Sequence, residues 1–462
     1  MKYLKKLFNI LIFLFPVVLC AQQPWYKSSP TDYAWKNVGN AGFSADKADF
    51  TSLAFDSIGQ PYVAFRDWAS SLKATVMKFD GANWVYVGSA GFSAGTASFI
   101  SLAFSPSGQP YVAYSDAANS NKATVMKYDG TNWVNIGMVG FTGENALSTN
   151  LAFSPSGQPY VAFQDSMHLR KVSVMRFDGS TWVYVGIAGF SAGWASSISL
   201  AFSPSGQPYV SYTDVWYTHA VVVMKFNGTQ WVTVGNGSVS QAEAAYTSLA
   251  FKPSGEPFVA YQDAYNSSKA TVRKFDGSNW VDAGNAGFSE SLVYYPSLAF
   301  SPSGQPYLAY VDEGNSAKAT VMKLDSTNWV NVGNAGFSDG EVRFTSLAFS
   351  PSGQPFVAFS DWGNSKKATV MKYDSVYVGM NEPQQSGLYM YPNPATDKIT
   401  IETSGASKGN YLVVVNIEGQ VLINKRVTDQ NTQIDISFLP SGVYFVRMIG
   451  EKSVQVGKFV KQ

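Results

Sequence analysis

Ser101-Leu-Ala-Phe-Ser-Pro-Ser-Gly-Gln-Pro-Tyr-Val-Ala-Tyr-Ser-Asp116 is the stretch whose reading decides the fold. Ser101 to Phe104 is a short apolar strand. Ser105 to Gln109 is a turn in which proline presets φ and Gly108 supplies the positive φ of a bulged hairpin. Pro110 to Tyr114 is a second strand, and Asp116 to Lys122 a polar loop. Ala123 to Tyr128, rich in β-branched residues, is a third strand. Asp129-Gly-Thr-Asn132 is another hairpin turn, and Trp133-Val-Asn-Ile136 a fourth strand. A longer connection containing Gly140-Phe141 then leads into a near-copy of the same text.

The copies keep step. Leu53, Leu102, Leu151, Leu200, Leu249, Leu298 and Leu347 each open a Leu-Ala-Phe triplet, and each lies 49 positions beyond the last (102 − 53 = 49). Trp35, Trp84, Trp133, Trp182, Trp231, Trp280 and Trp329 keep the same interval. A period of this length marks a solenoid, a propeller or an array of like modules. Four antiparallel strands in about 49 residues is the size of a propeller blade.

The ends of the array predict closure. The last copy has three strands, Ser346 to Tyr373, then a truncated Asp374-Ser375 turn and no tryptophan. The missing fourth strand stands at the other end, at Tyr33-Ala-Trp-Lys-Asn-Val38. A ring closed in this way leaves no bare sheet edge, whereas an open solenoid would need polar caps. Val376-Tyr-Val378 is a rival for the outer position. The reading is all-β: a seven-bladed β-propeller over residues 33–379, a linker at 380–388, and a small C-terminal β-sandwich at 389–462.

The N-terminal MKYLKKLFNILIFLFPVVLCAQQ has lysines at 2, 5 and 6, an apolar run from Leu7 to Leu19, and Ala21 at the expected cut. It reads as a secretory signal peptide over 1–21, followed by a lead at 22–32. The run is too short for a comfortable membrane span. The chain's single cysteine, Cys20, falls inside this segment. Leu19 is bulky where a lipidated cysteine would follow a small residue. A chain cut after Ala21 has no thiol for a disulfide, metal or nucleophile.

The C-terminal segment breaks the period. It contains YPNPATDKITIE (Tyr391 to Glu402), a run of alternating apolar residues with a Glu418-Gly419 turn, and LPSGVYFVRM (Leu439 to Met448) with a Ser441-Gly442 turn. It ends in VGKFVKQ. These blocks, in this order, resemble the C-terminal sorting domain of the type IX (Por) secretion system. The resemblance implies handling by that machinery in a Bacteroidetes-type bacterium. The expected destination is the outer-membrane surface or the medium, by way of the periplasm. The repeat itself lacks the Gly-Gly pair of kelch blades and the Gly-His and Trp-Asp pair of WD40 blades. Asp129-Gly-Thr-Asn-Trp133 is similar to the Asp-box of sialidases but one residue short, so no sialidase residue is carried over.

Charge and motif content narrow the function. With 33 Lys and Arg against 32 Asp and Glu, the formal net charge is +1. That argues against a nucleic-acid binder, which needs a basic face. His168 and His219 occupy different loop positions with no metal-type spacing, and a loop histidine is ordinarily solvated surface. No Gly-rich phosphate loop, nucleophile elbow or His-Glu-x-x-His occurs. No cofactor is expected.

A residue present seven times builds the unit. The tryptophans are expected to pack against a neighbouring strand or blade, each burying roughly 150–250 Å² and contributing on the order of 4–6 kcal/mol gross. Ala64, Ala113, Ala162, Ser211, Ala260, Ala309 and Ala358 are small where blades crowd. Asp67, Asp116, Asp165, Asp214, Asp263, Asp312 and Asp361 end the second strands, and six of the seven have a lysine six residues on. They either cap the loop and pair with that lysine, or form a rim of carboxylates for cations, calcium included, or for sugar hydroxyls.

Residues that break the repeat are the functional candidates. Loops after the second and fourth strands share one face. On it fall Trp68, Trp216, Tyr217, Tyr265 and Trp362, with Trp194, Tyr294 and Tyr295 ahead of first strands. Arg66, Arg170 and Arg343 belong to the same side. Aromatic faces beside carboxylates and amides suit a carbohydrate. The expectation is a non-enzymatic, exported propeller that binds a glycan or a cell-surface partner through this face. The alternative is a glycoside hydrolase or lyase with one site near the central channel, using single-copy groups such as Arg66, Arg343 and Glu313.

Overall fold

A computed structural model describes residues 32–376, 388–403, 410–417, 419–427, 429, 431–449 and 454–462. The expected signal peptide, nearly all of the lead, Tyr377 and Val378, and most of the linker lie outside the described residues.

The repeat folds as seven four-stranded antiparallel sheets, and in six of them the strands follow chain order. In the first blade the strands are Ala48–Phe55, Pro61–Asp67, Lys73–Phe79 and Trp84–Tyr86. In the seventh they are Val342–Phe349, Pro355–Asp361 and Lys367–Val376, and Asp32–Asn37 lies beside the last of these as the fourth strand.

The ring is stitched by one bond repeated at every blade junction. Each tryptophan indole donates to a backbone carbonyl of the preceding blade: Trp84 to Val38 at 2.6 Å, Trp133 to Val87 at 2.7 Å, and so on to Trp35, which reaches Val332 at 2.7 Å. Phe92 stacks flat on Trp133 at 4.5 Å, and Phe337 on Trp35 at 4.3 Å. Trp280 lacks such a partner because Val239 stands where other copies have phenylalanine. The apolar cores lie between blades: Ala64 and Val76 of the first pack with Val112, Tyr114 and Trp133 of the second. At the inner strands Ser52 Oγ accepts from Leu102 N at 3.0 Å, and Ser346 Oγ accepts from Leu53 N across the closure at 3.0 Å.

Every inner strand carries a bulge two or three residues from its start. The register slips, for example, between Ser98 and Ser101. The bulged residue takes a left-handed φ of 49–56° in all seven copies: Phe50, Phe99, Ser148, Ser197, Tyr246, Tyr295 and Phe344. Such a φ is uncommon for bulky residues, and here it turns each side chain toward the mouth of the central channel.

The C-terminal unit is a sandwich of two sheets. One holds Leu388–Tyr391, Lys398–Thr403 and Asn431–Asp435; the other holds Tyr411–Val415, Val421–Arg426, Gly442–Ile449 and Val454–Lys461. Ile399, Ile401, Leu412, Val414, Val446 and Phe459 form its core. The expected turn at Ser441-Gly442 is corrected: Gly442 already belongs to a strand, and the chain reverses at Ser437-Phe438. There Asp435 Oδ1 accepts from Ser437 N at 2.9 Å, an Asx turn that outcompetes the Ser-Gly pair. Glu418 lies outside the described residues, and Gly419 has the positive φ a turn requires, +82°.

Candidate functional site

The repeated aspartates belong to the loops that follow them. In six blades a 3-10 turn starts after the aspartate. Asp116 Oδ1 accepts from Ala118 N at 3.1 Å and Oδ2 from Asn119 Nδ2 at 2.7 Å. Asp67 accepts from Ala69 N, Ser70 Oγ and Thr75 Oγ1 at 2.9–3.0 Å. Asp165, Asp214, Asp263, Asp312 and Asp361 are held by the same kinds of donor. None of the seven is more than 4% exposed. The expected ion pair is corrected. Lys122 stands opposite Asp116 in register, yet among the described residues no salt bridge joins the two, because loop N–H and O–H groups already occupy the carboxylate. Among the described residues no group of three or more His, Cys, Asp or Glu side chains is placed to hold a metal ion. His168, expected as solvated surface, instead places Nδ1 2.8 Å from Asp165 Oδ2.

The two faces of the ring differ in how much the copies vary. The turn between first and second strands reads Ser-Pro-Ser-Gly-Gln in five copies, Ser105 to Gln109 among them. On the loop face the position of Trp68 reads Trp68, Ala117, Ser166, Val215, Ala264, Glu313 and Trp362. The position of Asp49 reads Asp49, Ser98, Leu147, Ser196, Ala245, Tyr294 and Arg343. Since the same scaffold is built each time, this variation is not required by the fold.

The charged and aromatic variants gather where the seventh blade meets the first. Arg66 Nη2 lies 2.6 Å from Asp49 Oδ2, and the Trp68 indole donates to the same oxygen at 2.8 Å. Lys47 Nζ sits 4.7 Å from the Trp68 ring centre. Across the junction, Arg343 Cζ lies 4.4 Å and Lys366 Nζ 3.9 Å from the Trp362 ring centre. Arg343 also meets Glu341 at 3.4 Å. Between the two groups is a cavity of about 320 Å³. A second, of about 300 Å³, adjoins it on the sixth-blade side and is lined by Tyr246, Tyr294, Tyr295, Glu313, Glu341 and Arg343.

Both cavities border the channel mouth, a space of about 460 Å³. There the bulge residues form a connected arc. Tyr246 to Tyr295, Tyr295 to Phe344, and Phe344 to Phe50 are each 5.0 Å between ring centres, and Phe50 to Phe99 is 5.3 Å. Ser148 and Ser197 interrupt it. Burial raises the phenols of Tyr246 and Tyr295 above their usual range, with Arg343 opposing, so both stay neutral hydroxyls at physiological pH.

Arg66, Trp68, Arg343 and Trp362 are thus brought together, and Tyr294, Tyr295 and Glu313 adjoin them. Tyr294 and Tyr295 lie inside their first strand, Val293–Phe300, rather than ahead of it, and Arg343 lies inside Val342–Phe349. Trp194, Trp216, Tyr217 and Tyr265 stand apart on the fourth and fifth blades; Trp216 and Tyr265 are 74% and 66% exposed. Trp194 packs edge-on to His219 at 5.6 Å. Arg170 lies in the third-blade loop with a φ of +58° and lines none of these three cavities. Sequence reasoning missed Lys47, Asp49, Glu341 and Lys366. Aligning the copies marks three of them, since Lys47 and Glu341 share one repeat position (341 − 47 = 294, or six periods of 49), as do Asp49 and Arg343, whereas Lys366 aligns with Leu72 (366 − 72 = 294).

Among solved structures the chain is similar to PorZ, described as an essential surface component of the type-IX secretion system of Porphyromonas gingivalis. Identity is 15%, covering 91% of this chain and 60% of that one, with a TM-score of 0.45. The chain therefore spans less than two thirds of the length of PorZ. It is similar to a PL25 ulvan lyase at 13% identity, over 74% of this chain and 96% of that chain, TM-score 0.48. It is similar to the SapL1 lectin, solved with alpha methyl fucoside, at 15% identity over 65% and 99%, TM-score 0.42. No curated protein matches the chain. No described helix is long and apolar enough to cross a membrane. Residues 389–462 match the family model of the secretion system C-terminal sorting domain, and this part of the chain is such a domain, which implies export by the type IX route.

Proposed function

We propose that the propeller is an exported carbohydrate-binding module whose site is the groove over the sixth, seventh and first blades. The observation that carries this reading is the junction itself. Two tryptophans at one repeat position, Trp68 and Trp362, flank a cavity whose rim offers Arg66, Arg343 and the aromatic arc. A pyranose stacks its C–H face on such rings while its hydroxyls take hydrogen bonds from fixed polar groups. Trp68 is 44% exposed despite its bond to Asp49, so part of the ring faces solvent. Trp194, Trp216 and Tyr265 are proposed as a separate contact region on the same face, where a long polymer or a cell-surface partner would touch the ring twice.

A glycan array together with pull-down by insoluble polysaccharides tests this. Binding by the full chain, weakened about tenfold or more by Trp362→Ala or Trp68→Ala, supports the reading. Absence of binding to every glycan by correctly folded protein removes it.

A second reading, cleavage of the bound chain, has its own observation: Glu313 and Glu341 line the cavity that also holds Tyr295 and Arg343. Two carboxylates and a neutral phenol beside an arginine are the groups a glycosidase or lyase uses for proton transfer. Release of reducing ends or of unsaturated uronate from a bound polysaccharide, lost in Glu313→Gln, would establish it. An intact polymer after prolonged incubation would exclude it.

A further inference from the structure

We infer that the ligand of the seventh-to-first blade cavity is an anionic carbohydrate, a chain carrying uronate carboxylates or sulfate esters; this rests on the carbohydrate reading above. The balance of charge in the cavity points to this ligand. The cavity is lined by four cations, Lys47, Arg66, Arg343 and Lys366, against one carboxylate, Asp49. That leaves a local surplus of +3 (4 − 1), on a chain whose net charge is +1. Glu341, reaching Arg343 from the adjoining cavity, lowers the surplus only to +2 (4 − 2).

Asp49 is already committed, to the Arg66 guanidinium and to the Trp68 indole. Among the described residues, Lys47 and Lys366 form no salt bridge with a carboxylate and lie instead over the Trp68 and Trp362 rings. Arg343 lies over Trp362 as well, and its contact with Glu341 is long and half-exposed, so it contributes little.

A neutral sugar stacks best on a bare indole. Here each tryptophan has a cation lying over its ring, which favours a ligand that meets charge beside the ring. Guanidinium groups suit carboxylate and sulfate alike, because both present paired oxygens to the fork of N–H donors. The ammonium groups add attraction with less demand on geometry.

The test is calorimetric titration of the full chain with four probes: laminarin (neutral), polygalacturonate (carboxylate only), a carrageenan (sulfate only) and polyglutamate. One or both acidic polysaccharides should bind at least about tenfold more tightly than laminarin, and which of them does so names the anion. Raising salt from about 0.05 to about 0.5 M should weaken that binding severalfold. Lys366→Gln and Lys47→Gln should each lower affinity for the acidic polymer about three- to tenfold without weakening laminarin binding, because each uncovers an indole face as it removes a charge. Lys252→Gln, which removes the same charge from the constant turn face, should change neither. Equal affinity for laminarin and the acidic polymers overturns the inference but leaves carbohydrate recognition standing. Polyglutamate bound as tightly as the polysaccharides also overturns it, since charge alone would then suffice. Failure of all three polysaccharides overturns the inference, and the carbohydrate reading falls with it only if the glycan array is blank as well.

Discussion

Replacing Trp35 with phenylalanine probes the closure of the ring at one atom. Trp35 is 8% exposed, stacks on Phe337 at 4.3 Å and 10°, and donates its indole N–H to the Val332 carbonyl at 2.7 Å, across 297 positions of sequence. Phenylalanine keeps a ring against Phe337 but leaves the Val332 carbonyl unpaired in a buried setting, a loss of about 1–3 kcal/mol. The missing half of the indole leaves a small cavity that adds on the order of 1 kcal/mol. The expected total is about 2–4 kcal/mol. Trp280→Phe is the internal comparison. It loses the same kind of bond, to Val234 at 2.7 Å, but Trp280 is only partly buried and has Val239 in place of a stacked phenylalanine. Its loss belongs at the lower end, about 1–2 kcal/mol. Guanidinium unfolding of the full chain, followed by far-UV circular dichroism, reads both. A Trp35→Phe transition within about 0.5 kcal/mol of wild type would refute the argument, because surface changes alone give that much.

Further expectations follow from the loops. Asp80, Asp129, Asp178 and Asp276 have carboxyls held below the usual range, chiefly by backbone N–H bonds within their turns. Each therefore stabilises the fold above its unfolded pKa, and that contribution is lost as pH falls through the lower folded value. Asn227 makes the same two turn bonds with an uncharged amide. Converting the four aspartates to asparagine should flatten thermal stability measured between about pH 5 and 2. Gly193→Ala should destabilise by about 1–3 kcal/mol, read by differential scanning calorimetry, because its Cβ would sit 2.5 Å from Asp214 Oδ1 and break a loop cap. EDTA should leave the melting temperature unchanged, since N–H and O–H donors occupy at least one oxygen of every repeated aspartate, Asp361 Oδ1 alone among these oxygens lacking a partner.

The fold was legible because one period fixed everything at once. Strand number, turn positions and the displaced fourth strand all follow from aligning Trp35 with Trp84. The sandwich turn was misplaced because the Asp435 side chain decides it, and Ser441-Gly442 is only the commoner signal. The site was half legible. Breaking the repeat identified Trp68, Trp362, Arg66 and Arg343 individually. Their meeting depends on the closure, which brings residues 47–68 beside 341–366 from opposite ends of the ring. Asp49, Glu341 and both lysines read as ordinary surface charge in the sequence; the fold sets the lysines over Trp68 and Trp362 and the carboxylates against Arg66 and Arg343. Only an offset of one position along their loops separates Trp216 and Tyr265, in the sequence, from the tryptophans that line the groove.

The account's central claim is that the varied face recognises the ligand and the constant face does not. A crystal structure of the full chain soaked with an acidic oligosaccharide tests it most directly. The sugar should lie between Trp68 and Trp362, with an anionic group within hydrogen-bond reach of Arg66, Arg343 or Lys366. Sugar density confined to the opposite channel mouth, the space of about 810 Å³ ringed by Phe55, Phe104, Phe153 and their repeats, would contradict it.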